Sequence, residues 1–340
     1  MNVPGPAFIT GASGFVGGAV LRHLIAQDRE VRALARSSEA EERVTAAGAI
    51  AIRGDLFDPE AMLAGIRGCS TVFHVAGVNA TCKRDPSRMF EANVHGTANV
   101  VRAAAAAGVE RLIHTSSAAA IGESAGTVGH EDSPHRGSFL SAYERSKYLA
   151  EERALGLGAS LSLPVVCVNP SSVQGPGRTE GTARLFLELV NRRRPPVVDT
   201  WLSVVDVDDC AAGHLLAETA GAPGDRYLLN GASLTTDDAV ALLRSMCGRP
   251  AHTLRLPPRV VRATAWAAGA AGRLMHRDPT LCPEVARTLL HGHRYDGSRA
   301  TRELGLRYRP AQDTVRRTLA WMREQGLTDA ETAAGSEDPT

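Results

Sequence analysis

The chain has 340 residues, with 38 basic and 37 acidic side chains, 44% hydrophobic and 4% aromatic content, and a formal net charge of +1. This length suits one large domain or two sharing a core, and the balanced charge leaves no bulk attraction for nucleic acid or an anionic membrane. Of the basic residues only Lys83 and Lys147 are lysines, so a well-placed lysine is informative.

From Met1 the chain passes Pro4 and Pro6 into an apolar strand without a basic leader, so no targeting segment is expected. The stretch 260–275 carries Arg262 and Arg273 and falls short of the roughly 20 residues of a membrane span, so no insertion is expected. Cys69, Cys82, Cys167, Cys210, Cys247 and Cys282 lie far apart with no Cys-x-x-Cys pair. Neither a disulfide framework nor a metal site is expected, and the thiols fit a reducing cytoplasm.

Short β-branched runs predict strands at 7–10, 31–35, 49–53, 71–75, 111–115 and 164–169. Alanine-rich segments of helical period at 15–26, 59–66, 88–107 and 141–157 separate them, the last ending at Gly156 and Gly158. This alternation predicts an α/β fold, a Rossmann-type doubly wound parallel sheet. After Pro170 the rhythm loosens, with strands at 201–205 and 227–229 and helices at 236–246, 259–274, 283–290 and 314–324. The expected division is a cofactor domain over 1–178, to which 200–232 returns, and a smaller, mostly helical substrate lobe over 179–199 and 233–326. An acidic, disordered tail is expected over 327–340.

Straight after the first strand comes Thr10-Gly11-Ala12-Ser13-Gly14-Phe15-Val16-Gly17. The three glycines permit a tight turn, close approach to a pyrophosphate and close helix–sheet packing, and the helix start offers free N–H groups. The spacing is GxxGxxG, which an ordinary turn could also show; its place between strand and helix favours the dinucleotide reading. The second strand ends Ala35-Arg36-Ser37 with no acid at its tip, so Arg36, assisted by Ser37, is the candidate clamp for a 2′-phosphate and hence for NADP. The competing reading is a solvated arginine. Asp55, in Gly54-Asp55-Leu56 after the third strand, would lie near the adenine, or would merely cap a helix.

Tyr143 and Lys147 stand four apart on a predicted helix and so share a face; an ammonium beside a phenol stabilises the phenolate and brings its pKa toward neutrality. Ser117 closes His114-Thr115-Ser116-Ser117 at the end of the fifth strand, where a hydroxyl overlooks the cofactor crevice.

These motifs resemble the extended short-chain dehydrogenase/reductase family of NAD(P)-dependent epimerases/dehydratases. Supporting segments are Phe73-His74-Val75-Ala76-Gly77, the helix from Asn93 to Asn99, Asn169-Pro170-Ser171-Ser172, Val205 to Asp209, and Tyr295 to Ala300. The similarity reaches about residue 325 and looks closest to the dihydroflavonol-reductase-like and hopanoid-associated epimerase-like branch. It implies that Ser117, Tyr143 and Lys147 are catalytic. It also implies cofactor contacts at Leu56, Val75, Ala76, Gly77, Asn93, Thr115, Pro170, Ser171 and Ser172, and a homodimer formed through the 88–107 and 141–157 helices. The implied chemistry is NADPH-dependent reduction of a ketone or aldehyde, or its reverse, on a small, hydrophobic or secondary-metabolite substrate, with Tyr143 as proton donor. A sugar-nucleotide epimerase or dehydratase is the alternative, disfavoured by Arg36 and by the 194–200 segment in place of a glycine-rich one; a non-catalytic dinucleotide sensor is the second.

Overall fold

Successive side chains along the first six strands point to opposite faces of the sheet, and in the central strands both sets are buried. Phe8, Val72, Leu112 and Cys167 face one side with Met62, Ile66, Val100 and Ala154. Ala7, Ile9, Phe73, Ile113 and Val166 face the other with Val20, Leu24, Cys210 and Leu215. Two buried faces require helices on both, the condition for an all-parallel sheet. The computed structural model describes residues 5–179, 181–247 and 252–328.

The strands in chain order are β1 (Ala7–Thr10), β2 (Val31–Ala35), β3 (Ile50–Arg53), β4 (Thr71–His74), β5 (Arg111–Thr115), β6 (Val165–Pro170), β7 (Ser172–Gln174), β8 (Pro196–Val197), β9 (Trp201–Asp206), β10 (Arg226–Leu229), β11 (Ala232–Thr235) and β12 (Leu254–Arg255). Seven form the large parallel sheet, in the order β10-β6-β5-β4-β1-β2-β3. This is the doubly wound Rossmann arrangement, whose chain reverses direction across the sheet between β1 and β4 and opens a crevice there. A small sheet β11-β9-β7 and the pair β12-β8 lie outside it. Of the 200–232 stretch, β10 joins the large sheet and β9 the small one.

Helices Thr182–Asn191, Thr236–Met246 and Ala311–Glu324 enclose a separate apolar cluster that includes Phe186, Val240, Leu243 and Leu319. Helix Pro258–Leu274 buries Val261 and Ala265 with Ala286 of helix Pro283–His291. Its apolar face is therefore occupied by packing, while Trp266 and Leu274 are exposed. Among the described residues no helix is long and apolar enough to cross a membrane. The expected tail lies outside the described residues from 329 onward.

Three expectations change. The helix expected over 141–157 runs Ala142–Ser160, straight through both glycines; a Cβ at Gly158 would come 2.5 Å from Val165 Cγ2, so this glycine permits close helix–sheet packing rather than ending the helix. The single helix expected over 88–107 is broken by a π-helical turn at Glu91–His95 between Ser87–Phe90 and Gly96–Ala107. Third, Cys82 and Cys282 form a disulfide across 200 residues of sequence, which leaves Cys69, Cys167, Cys210 and Cys247 as buried thiols. Spacing gave no sign of it because the fold, not the chain, brings the pair together.

A cross-link closing so long a loop restricts the unfolded chain strongly. Cys82→Ser should cost about 2–4 kcal/mol and lower the melting midpoint by several degrees. Reductant should lower the wild type to the variant's midpoint and leave the variant unchanged; equal midpoints without reductant would exclude the bond as a stabilising element.

Candidate functional site

The crevice is built by glycine. Gly11 follows β1 at φ +77, and a Cβ there would lie 2.6 Å from Ala76 N; one at Gly17 would lie 2.1 Å from Gly11 O. Neither position admits a side chain. Gly14 begins helix Phe15–Ile25 with no capping side chain, so the N–H groups of Phe15 and Val16 and the positive dipole end are left for an anion, with Ser13 beside them. This cradle fits a dinucleotide pyrophosphate.

Beneath it, Thr10 Oγ1 accepts from Ala76 N at 3.2 Å and bonds His74 Nδ1 at 2.8 Å; the other imidazole nitrogen reaches Thr97 Oγ1 at 2.9 Å. Burial, helped by the Lys147 charge, holds His74 down to about 3, so it acts as a neutral link between β1, β4 and the following helix. The π turn places Asn93 beside Gly77 and Val78. Its amide accepts from Val78 N at 2.7 Å and donates to Val78 O and Ser146 Oγ, each at 2.9 Å.

At the other end of the crevice Arg36 is exposed on the tip of β2. Ser37 Oγ is engaged as an N-cap, accepting from Ala40 N at 3.2 Å. Arg53, in register with Ala35, adds a second exposed guanidinium held by Ser38 and Glu41, each at 3.4 Å. Asp55 accepts from Phe57 N at 2.7 Å, and the Leu56 carbonyl accepts from Asn99 at 3.0 Å.

Helix Ala142–Ser160 carries Tyr143 and Lys147 toward the end of β5. Lys147 Nζ donates to the Thr115 carbonyl at 2.7 Å, and Thr115 Oγ1 bonds His214 Nε2 at 2.8 Å. A Cβ on Gly77 would lie 3.7 Å from Lys147 Nζ and 3.5 Å from Asn93 Oδ1, so all three residues border one space. Ser117 begins a 3₁₀ turn over Ala118–Ile121, and its carbonyl accepts from Asn169 Nδ2 at 3.1 Å. Pro170 ends β6, Ser171 N donates to Leu229 O at 2.9 Å, and Ser172 Oγ accepts from Gln174 at 2.8 Å.

The electrostatics differ from the expectation that Lys147 depresses the phenol. Burial pushes Tyr143 above its usual pKa, and the opposing pulls come from the Ser117 hydroxyl and the Arg178 guanidinium. Lys147 is itself brought down to about 8 by burial, against the charge of Glu151, and its proton is directed at a carbonyl.

Sequence reasoning missed Arg178, which follows Gly175-Pro176-Gly177, bonds Val173 O, and lies over the Phe15 ring at 5.8 Å. It also missed Glu284, on helix Pro283–His291, whose carboxylate accepts from Ala142 N at 3.0 Å and Cys82 N at 3.3 Å and so caps helix Ala142–Ser160. Only the fold brings either near Tyr143.

The sequence pattern of the NAD dependent epimerase/dehydratase family matches residues 7–229. The chain belongs to that family and is an NAD(P)-dependent oxidoreductase of the extended short-chain dehydrogenase/reductase type. It is 33% identical over 328 residues to a putative dihydroflavonol 4-reductase of Synechocystis sp., covering 94% of this chain and 95% of that one. It is 30% identical to a 2-alkyl-3-oxoalkanoate reductase of Shewanella oneidensis, covering 88% and 81%. The crystal structure of gox2253 superposes with a TM-score of 0.82 at 33% identity, covering 95% and 99%.

Because the Ser117 hydroxyl lowers the Tyr143 pKa, Ser117→Ala should raise it. The phenolate absorbance of Tyr143, taken as the difference from Tyr143→Phe, should then appear at higher pH in the serine variant. An unmoved titration would mean that the two hydroxyls are uncoupled.

Proposed function

We propose that this protein is an NADPH-dependent reductase of a ketone or aldehyde, working in reverse as an alcohol dehydrogenase. The observation that carries the reading is the meeting of Ser117, Tyr143 and buried Lys147 at the carboxyl end of β5, beside a glycine cradle whose adenosine end presents Arg36 rather than an acid. Ser117 orients the substrate oxygen, and Tyr143, protonated because burial keeps its pKa high, gives that oxygen its proton. Lys147 holds the Thr115 strand end and in this reading would bind the nicotinamide ribose. A nicotinamide supplies the hydride when bound. The region over residues 1–178 and 200–232 holds the cofactor, 179–199 and 233–326 the substrate, and the chain works as a homodimer; the Cys82–Cys282 disulfide removes the thiol argument for a reducing cytoplasm.

The reductase names of the two curated relatives favour this reading over epimerisation. So does Arg36, which suits a 2′-phosphate and hence an exchangeable NADPH. In this reading the substrate is a small carbonyl compound of hydrophobic or secondary-metabolite type.

The test is NADPH oxidation against a panel of ketones and aldehydes, with fluorescence titration of both cofactors. Tyr143→Phe should reduce turnover by roughly 10²–10⁴-fold while cofactor binding persists. Arg36→Ala should weaken NADPH by about 10–100-fold, the loss of a charge-assisted contact, and leave NADH unchanged. Turnover surviving without the phenol would remove the catalytic assignment; equal affinity for the two cofactors would remove the NADP preference.

A further inference from the structure

Outside the site just described, one buried cluster has the chemistry of a metal centre. Glu123 lies just past the turn that Ser117 begins; Gly122, at φ +66, reverses the chain so that the carboxylate points inward. His291 ends helix Pro283–His291, and Gly292, at φ +73, turns the chain so that the His291 and His293 rings stand 4.8 Å apart. Glu123 Oε1 is 2.6 Å from His293 Nδ1 and 3.3 Å from His291 Nε2, and one ligand atom from each residue falls within 4.8 Å of the others.

Two observations separate this cluster from an ordinary salt-bridge network. The Glu123 and His291 side chains are 2% and 6% exposed, yet neither Glu123 Oε2 nor His291 Nε2 makes a hydrogen bond, His291 Nε2 standing 3.3 Å from Glu123 Oε1. Unpaired buried polar atoms are costly, and here both belong to one convergent set. Arg136 donates to the Glu123 backbone carbonyl at 3.1 Å and pairs with Glu144, and the Tyr295 hydroxyl borders the Glu123 carboxylate beside the two histidines.

We propose that Glu123, His291 and His293 bind a divalent cation of the zinc type. Two imidazoles and a carboxylate suit such an ion, and ligands at about 2.0–2.1 Å in a tetrahedron lie about 3.3 Å apart, a spacing these atoms bracket. Binding through His293 Nδ1 replaces its contact with Glu123 Oε1, and the ring keeps its single proton on Nε2, so the ligand is a neutral imidazole. The Tyr295 hydroxyl stands 3.0 Å from His293 Nδ1, at the edge of the cluster. The ion clamps residues 291–295 to the loop that begins at Ser117, and so couples metal occupancy to the placement of that serine.

The experiment is titration of the metal-stripped full chain with Co²⁺, followed by its visible spectrum, and with Zn²⁺, followed by calorimetry and melting. One equivalent should bind, with a tetrahedral ligand-field band, no thiolate charge-transfer band, and a higher melting midpoint with Zn²⁺. Glu123→Gln, which keeps size and an acceptor for His293, and His291→Ala should each weaken binding by more than the about 10–100-fold typical of outer-sphere changes. Circular dichroism without metal checks that each variant is folded, and if the alanine variant is not, Glu123→Gln decides. Absence of stoichiometric binding, unchanged affinity in Glu123→Gln, or a thiolate band assigning the ion to a cysteine would each overturn the proposal.

Discussion

The hydrogen bond from Lys147 Nζ to the Thr115 carbonyl, 2.7 Å long, is the constraint on which the rest of the site depends. An ammonium 5% exposed is expensive to bury without a partner. The strand-end carbonyl supplies one, and it fixes the Ala142–Ser160 helix against β5 at the level of Ser117. Tyr143, one turn earlier, is thereby held over the same strand end, and Gly77 leaves room for the lysine head beside Asn93.

Around that charge the protein keeps its buried imidazoles neutral. Burial, reinforced by Lys147, lowers His74 to about 3 and His114 well below its usual value; burial brings His214 to about 4. His74 and His214 thus serve as uncharged connectors, to Thr10 and Thr97 and to Thr115. The phenol is tuned from its other side, by a hydroxyl and by an arginine reaching in from the loop after β7.

The segment around helix Pro283–His291 is tied to the residues beside this site. Within about a dozen residues of each other, Asp278 pairs with Lys83 at 3.0 Å, Cys282 bonds Cys82, Glu284 caps helix Ala142–Ser160, and Arg287 donates to Leu140 O at 3.0 Å. The Lys83 pair is partly exposed and contributes little by itself. The disulfide and the cap are the stronger ties, the first by restricting the unfolded chain and the second by satisfying helix N–H groups.

Much of this was legible in the amino-acid order. β1, β2 and β5 fall where β-branched runs place them, because a strand buried on both faces must be continuously apolar. The glycine string, the scarcity of lysine and the four-residue step from Tyr143 to Lys147 are local patterns that carry their chemistry with them. Helix Val207–Ala220 was not legible, since it buries residues all round and shows no apolar stripe. Neither was helix Ser38–Ala46, which is short, polar and set by its Ser37 cap. What only tertiary structure decided are the meetings of distant residues: Cys82 with Cys282, Glu284 with Ala142, Arg178 with the phenol, and Glu123 with His291 and His293. Periodicity and spacing report what a residue does to its neighbours along the chain. They hold no information on which loops the sheet's strand order brings together, and those loops are where the disulfide and the distant side-chain contacts form.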